Sequence, residues 1–341
     1  MTDYKNLKLI ATSNPHIRSH DTTQSIMRDV IIAMLPALIL AIVRFGLEAL
    51  ILTAVSVGGC VFFEWIYRKL MHKPQSICDL SAVVTGMLIA LTCPVTVPLW
   101  MILIGDFFAI VVVKQLFGGI GTNFVNPALA GRAFLVGSYA GVMTRWIDPV
   151  ANKAPLFGAN VDVITAATPM SYLKSGDMET LKSLYSIKDV FLGAKLGGSM
   201  GEISAALLLV GGLYLIARKV ISWHIPVAYI GTVAVLSFLF PRGNASGLEW
   251  MLYSIFSGGL MLGAIFMATD YATSPVTKKG QLIFGIGCGL FTVLIRYFGA
   301  YNEGVCYSIL VMNLFVALID KWTKPTRFGV QKSEKKEAAA K

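Results

Sequence analysis

The sequence predicts an all-α polytopic membrane protein, with about ten transmembrane helices in two inverted five-helix repeats. Three observations predict it. The 341 residues are 55% hydrophobic and 14% charged, where soluble domains carry about 25% charge. Mean hydropathy is +0.68. Apolar runs close to the length of a bilayer span recur along the chain, and Lys and Arg gather in alternate connections between them.

Residues 1–28 form a polar N-terminal segment with Lys5, Lys8, Arg18 and Arg28. It lacks the small-residue cleavage site of a secretory signal and is expected in the cytoplasm. The first five-helix repeat, 29–143, holds spans at 29–44, 47–67, 80–95, 98–116 and 127–143. A long polar loop, 144–201, follows. The second repeat, 202–320, holds spans at 202–218, 225–240, 249–268, 281–298 and 303–320, and a basic tail, 321–341, closes the chain.

Basic residues set the orientation. Arg68, Lys69 and Lys73, then Arg218 and Lys219, then Lys278 and Lys279, then the tail mark the inner connections. Both termini are therefore expected in the cytoplasm and the 144–201 loop outside. The formal net charge of +10 reads as this orientation signal and not as a nucleic-acid footprint. The five cysteines form no C-x-x-C pair and no spacing suited to zinc or iron–sulfur, so no metal is expected.

The halves echo each other. Thr85–Leu91, Pro94 and Leu99-Trp100-Met101 answer Ile230–Leu236, Pro241 and Glu249-Trp250-Met251. Inverted repeats place ligands at their interface, beside broken helices. Two inner connections are rich in helix breakers: Gly118–Leu129 and Ala268–Gly280. Unwound backbone at membrane depth must be buried in protein or line a wet cavity. The amides of Asn123 and Asn126 and the carboxyl of Asp270 suit the mixed donor and acceptor edge of a heteroaromatic ligand. Asn and Asp are also good helix caps, and that reading stands beside the first. The glycines are no dinucleotide fingerprint, because no strand precedes them.

Ionisable groups inside spans are functional candidates. Asp106 and Lys114 share one span. Asp106 is the ion-path candidate, while Lys114 is near enough to the inner surface to snorkel. Glu64 and Arg68, at i and i+4, suit a local pair. No side chain is assigned a catalytic role of its own.

The outer loop contains Asp162-Val163-Ile164-Thr165-Ala166-Ala167-Thr168-Pro169. Small neighbours leave the Thr168 hydroxyl approachable, Asp162 can order the turn, and Pro169 stops a helix from running through the site. The stretch resembles the flavinylation motif Asp-x-x-Ser/Thr-Gly-Ala-Thr of membrane-bound respiratory flavoproteins, whose last Thr carries FMN through a phosphoester. Thr165 takes the first hydroxyl position, and Ala166 replaces the glycine. Other stretches join it: Asn14-Pro15-His16-Ile17-Arg18, Asn123-Phe124-x-Asn126-Pro127-Ala128 and Met267-Ala268-Thr269-Asp270…Thr273-Ser274-Pro275. Together they resemble the D-type membrane component of the Rnf complexes. These are ferredoxin:NAD oxidoreductases coupled to sodium or proton export. The similarity runs from about residue 10 to about residue 325. The homologous B-type component of the sodium-pumping NADH:quinone reductases shares it.

The resemblance implies FMN on Thr168, attached by a flavin transferase, and a second, non-covalent flavin (riboflavin) near Asn123, Asn126, Asp270 and Thr273. It implies other subunits of a redox complex as partners, in the inner (plasma) membrane of a prokaryote. A rival reading is a small-solute channel or carrier with no redox role, since inverted halves and broken helices suit permeation equally well.

Overall fold

A computed structural model describes residues 21–146, 168–193, 197–242, 246–299 and 304–325. Among them the regular structure is helical, with no strand. The N-terminal segment up to residue 20, Asp162, Thr165 and most of the basic tail lie outside the described residues.

α1 (Thr23–Phe45) opens with a capping box between Thr22 and Ser25. It turns into α2 (Leu47–Leu70) through Gly46 alone, whose φ of 80° is one that a side chain would disfavour. α3 (Ser81–Thr92) is short. α4 (Leu99–Phe107) runs without a break into a π-helix, Phe108–Gln115. α5 (Pro127–Ser138) starts with Pro127 in its first turn and Asn126 as its cap. α6 (Ala140–Met143) finishes the first half after a break at Tyr139.

From residue 168 onward the 144–201 loop contains three short helices. α7 (Pro169–Ser175), α8 (Met178–Leu184) and α9 (Ile187–Leu192) fold over a small apolar cluster of Met170, Leu173, Leu181, Val190 and Trp250. Pro169 does not merely stop a helix; it begins one. Its missing N–H costs nothing at a helix start.

The second half comprises α10 (Ala205–Ala217), α11 (His224–Leu239), α12 (Gly247–Phe256), α13 (Leu260–Leu262) continuing as a π-helix Gly263–Met267, α14 (Lys278–Phe298) and α15 (Val305–Thr323). Four helices, α1, α2, α14 and α15, are long and apolar enough to cross a membrane. α12 and the segment Leu260–Met267, bent by 63° at their break, have the length and apolarity of a fifth when taken as one span. The remaining predicted spans are represented by shorter apolar helices, α3, α10 and α11 among them. Large side chains such as Val43, Leu213 and Phe298 point outward, as a lipid-facing surface requires.

The connections sort into two ends. At the basic end, Arg218 pairs with Asp29 at 3.2 Å, Ser222 donates to Gln281 at 2.7 Å, and Asp320 accepts from the Val276 N–H at 3.1 Å. At the opposite end, Thr96 donates to the Arg145 carbonyl, Lys182 pairs with Glu249, and Arg242 donates to the Tyr297 carbonyl. These bonds link inner-predicted connections to inner ones and outer to outer.

Within the halves, α2 packs on α3 and α4, and α4 on α5; α11 packs on α12 and α14, and α14 on α15.

Glycine sets how closely the first half packs. A Cβ at Gly86 on α3 would meet the Val57 Cα at 2.7 Å and the Ser56 carbonyl oxygen at 2.9 Å, both backbone atoms of α2. Small residues of this kind let membrane helices approach closely. Gly86→Ala should therefore lower stability by about 1–3 kcal/mol, whereas Gly58→Ala, where a Cβ meets nothing within 4 Å, should be neutral or stabilising. Thermal unfolding of the two variants in detergent checks the contrast.

Candidate functional site

Two recesses lie at opposite ends of the bundle. The larger opens at the basic end and has a cavity volume of about 100 Å³. Apolar side chains from α1, α3 and α10 line it together with Phe266. Asn123, Asn126 and Asp270 all line it. Two stretches about 140 residues apart thus converge on one cavity, as the sequence predicts.

The details divide the roles. Asn126 is first a cap: its Oδ1 accepts from the Ala128 and Leu129 N–H groups at 3.0 and 3.3 Å. Its Nδ2 donates to the Met267 carbonyl at 3.2 Å, tying the two broken segments together. Asn123 donates to the Val125 carbonyl at 3.2 Å while lining the cavity. Thr273 is buried and stands behind the cavity wall; its hydroxyl donates to Asp270 Oδ2 at 3.0 Å. Burial pushes the Asp270 carboxyl above the ordinary carboxylate range, and the Thr273 hydroxyl works against that shift.

Sequence reasoning missed the charged wall of this cavity. Lys114 does not snorkel. It is buried, lines the cavity, and donates to Glu64 Oε2 at 2.9 Å and Ser81 Oγ at 2.7 Å. Glu64 is buried too. Its Oε1 accepts from Gln115 at 3.0 Å and from Ser76. The local Arg68 partner stands further off, at 3.9 Å. The readable signal was polar density: Glu64, Ser81, Lys114 and Gln115 interrupt otherwise apolar spans. A buried charge that loses its partner costs about 3–5 kcal/mol. Lys114→Met should thus destabilise the protein by about that amount, and adding Glu64→Gln should restore more than half. A double-mutant cycle read by unfolding in detergent measures it.

The second recess is a narrow cleft of about 10 Å³ at the opposite end, lined by Thr168, Ser199, Glu202, Phe256, Ser257 and Gly258, among others. Thr168 precedes α7 in extended backbone. Its carbonyl accepts from the Ser171 N–H and hydroxyl at 2.9 and 2.7 Å. The cleft sits at the break between α12 and α13, where Gly258 and Gly259 take φ of 72° and 66°. Arg296 holds the break: it donates to the carbonyls of Ser254, Ser257 and Gly258 at 2.6, 3.1 and 3.2 Å. Asp162 and Thr165 cannot be placed against Thr168, since both fall outside the described residues.

Asp106 joins neither recess. It is fully buried between α2 and α4, with Ser56 Oγ 2.8 Å from its Oδ1.

A family model described as "NQR2, RnfD, RnfE family" matches residues 10–329. The chain belongs to the NQR2, RnfD, RnfE family. Among curated proteins it is 48% identical to the D component of the Na(+)-translocating ferredoxin:NAD(+) oxidoreductase complex of Acetobacterium woodii, over 98% of this chain and 99% of that one. It is 41% identical to the D component of the proton-translocating ferredoxin:NAD(+) oxidoreductase complex of Clostridium ljungdahlii, over 96% and 98%. The D component of the ion-translocating oxidoreductase complex of Actinobacillus succinogenes is 36% identical, over 93% and 97%. These family members match across nearly the whole chain, so both recesses fall inside the shared fold.

Proposed function

We propose that this chain is the membrane flavoprotein subunit of an Rnf-type redox-driven ion pump, in which electrons pass between ferredoxin and NAD and Na+ or H+ is translocated. It is not catalytic alone. FMN is esterified to Thr168 by a flavin transferase, and a second flavin (riboflavin) occupies the basic-end cavity without a covalent bond. Both termini face the cytoplasm and the Thr168 end faces outward, in the plasma membrane of a prokaryote. The halves are inverted copies, a reading supported by their matched packing.

The observation that carries this reading is that the motif threonine lines a cleft at one end of a bent span whose other end borders the cavity. The segment Leu260–Met267 connects the two, and at α-helical rise it covers only about 12 Å. A flavin supplies reversible electron transfer when bound; the protein supplies binding, orientation and electrostatics. Thr168 would hold the phosphate, and Arg296 keeps the adjoining break rigid. At the cavity, Asn123 and Asp270 present polar groups to a ring edge, and Thr273 fixes the Asp270 carboxyl. Lys114 places a buried positive charge on the cavity wall, which favours electron-rich ligands. Asp106 is the ion-path residue.

Thr168→Val keeps the shape and removes the acceptor oxygen. Expressed with a flavin transferase, the wild-type chain should give a fluorescent band in a denaturing gel and the variant none. An equally bright band from the variant would end the assignment and leave a solute channel or carrier as the better account.

A further inference from the structure

Asp106 presents a hydrogen-counting problem. Ser56 Oγ lies 2.8 Å from Asp106 Oδ1 and 3.0 Å from the Gly86 carbonyl oxygen. A serine hydroxyl carries one hydrogen. With an ionised carboxylate both neighbours are acceptors, and one of these short contacts would be left without a proton of its own. The second carboxylate oxygen, Oδ2, is buried and has no hydrogen-bond partner among the described residues.

Among the described residues no cation forms an ion pair with Asp106. The nearest basic side chain along the same helix, Lys114, is held by Glu64 and Ser81. α2 contributes the Cys60 thiol, close enough to the carboxyl to serve as a weak donor, the segment after α3 contributes Cys93, and α5 contributes Arg132, whose charge is felt at Cys93. An unpaired, fully buried carboxylate costs so much that such a group takes a proton instead.

We infer that Asp106, Ser56 and the Gly86 carbonyl form a proton-binding site in the core of the first half, with Asp106 held there as the neutral acid. The acid O–H donates to Ser56 Oγ, and the Ser56 hydroxyl donates onward to the Gly86 carbonyl oxygen. Each short contact then has one hydrogen. The close approach at Gly86 brings its carbonyl to Ser56, and Gly59 makes room for the carboxyl: a Cβ there would stand 3.1 Å from Oδ2 and 2.6 Å from Leu103. The π-helix that begins two residues later gives the carboxyl an irregular backbone neighbour, a common mark of functional sites. The use of the site, as the place where the pump loads a cation, rests on the proposed function; its protonation does not.

Infrared spectroscopy of the full chain in detergent tests it without reference to any flavin. At neutral pH the wild-type minus Asp106→Asn difference spectrum should contain one carboxylic-acid C=O band that moves on exchange into D2O. Ser56→Ala, which keeps the carboxyl and removes its acceptor, should shift that band to the higher frequency of an acid without a hydrogen bond. A carboxylate pair in place of the acid band would overturn the inference. So would loss of the acid band on adding NaCl at constant pH, which would make this a sodium site.

Discussion

In a bilayer, no water waits to satisfy a backbone group where a helix breaks. That constraint organises this molecule. Helices break beside both recesses, and polar side chains close those two breaks. At the basic end Asn126 caps α5 with one side-chain atom and takes the last carbonyl of a π-helix with the other. Asn313, its amide oriented by its neighbours, donates to the carbonyls of Thr273 and Ile309 at 3.0 and 3.2 Å and accepts from the Asn126 N–H at 3.1 Å. At the opposite end the Arg296 guanidinium satisfies the carbonyls that end α12.

Two consequences follow. The unwound segments can sit within the bundle and leave a recess beside them. The same side chains fix the shape of each recess, so the polar groups facing a ligand are held before it arrives. Capping and cavity lining are then one design, in which Asn126 does the first and takes part in the second. The buried charges extend this. Lys114 is held by Glu64 and Ser81 and still lines the cavity, so its charge is fixed in place there.

The fold class was legible because hydropathy and basic connections are local signals. So was the convergence of Asn123, Asn126 and Asp270: helix breakers in an apolar chain have few places to go. What escaped was what depends on three-dimensional register. Glu64 looked committed to Arg68 one turn away, but its closest cation, Lys114, sits on another helix. Both π-helices leave no mark in periodicity at their length, since the apolar pattern is uniform across them. Pro169 read as a helix stop, because its position relative to the turn decides between stopping and starting. Thr273 carried a motif but stands one layer behind the surface it was expected to form.

The account depends on a flavin nucleotide joined to the chain at the end away from the basic connections. The intact mass of the denatured polypeptide, produced together with a flavin transferase, tests this most directly. The predicted result is the mass of the amino acids plus one FMN less one water, with the addition mapped to the peptide that contains Thr168. A mass equal to that of the bare chain, from cells in which the transferase modifies another substrate, would contradict it.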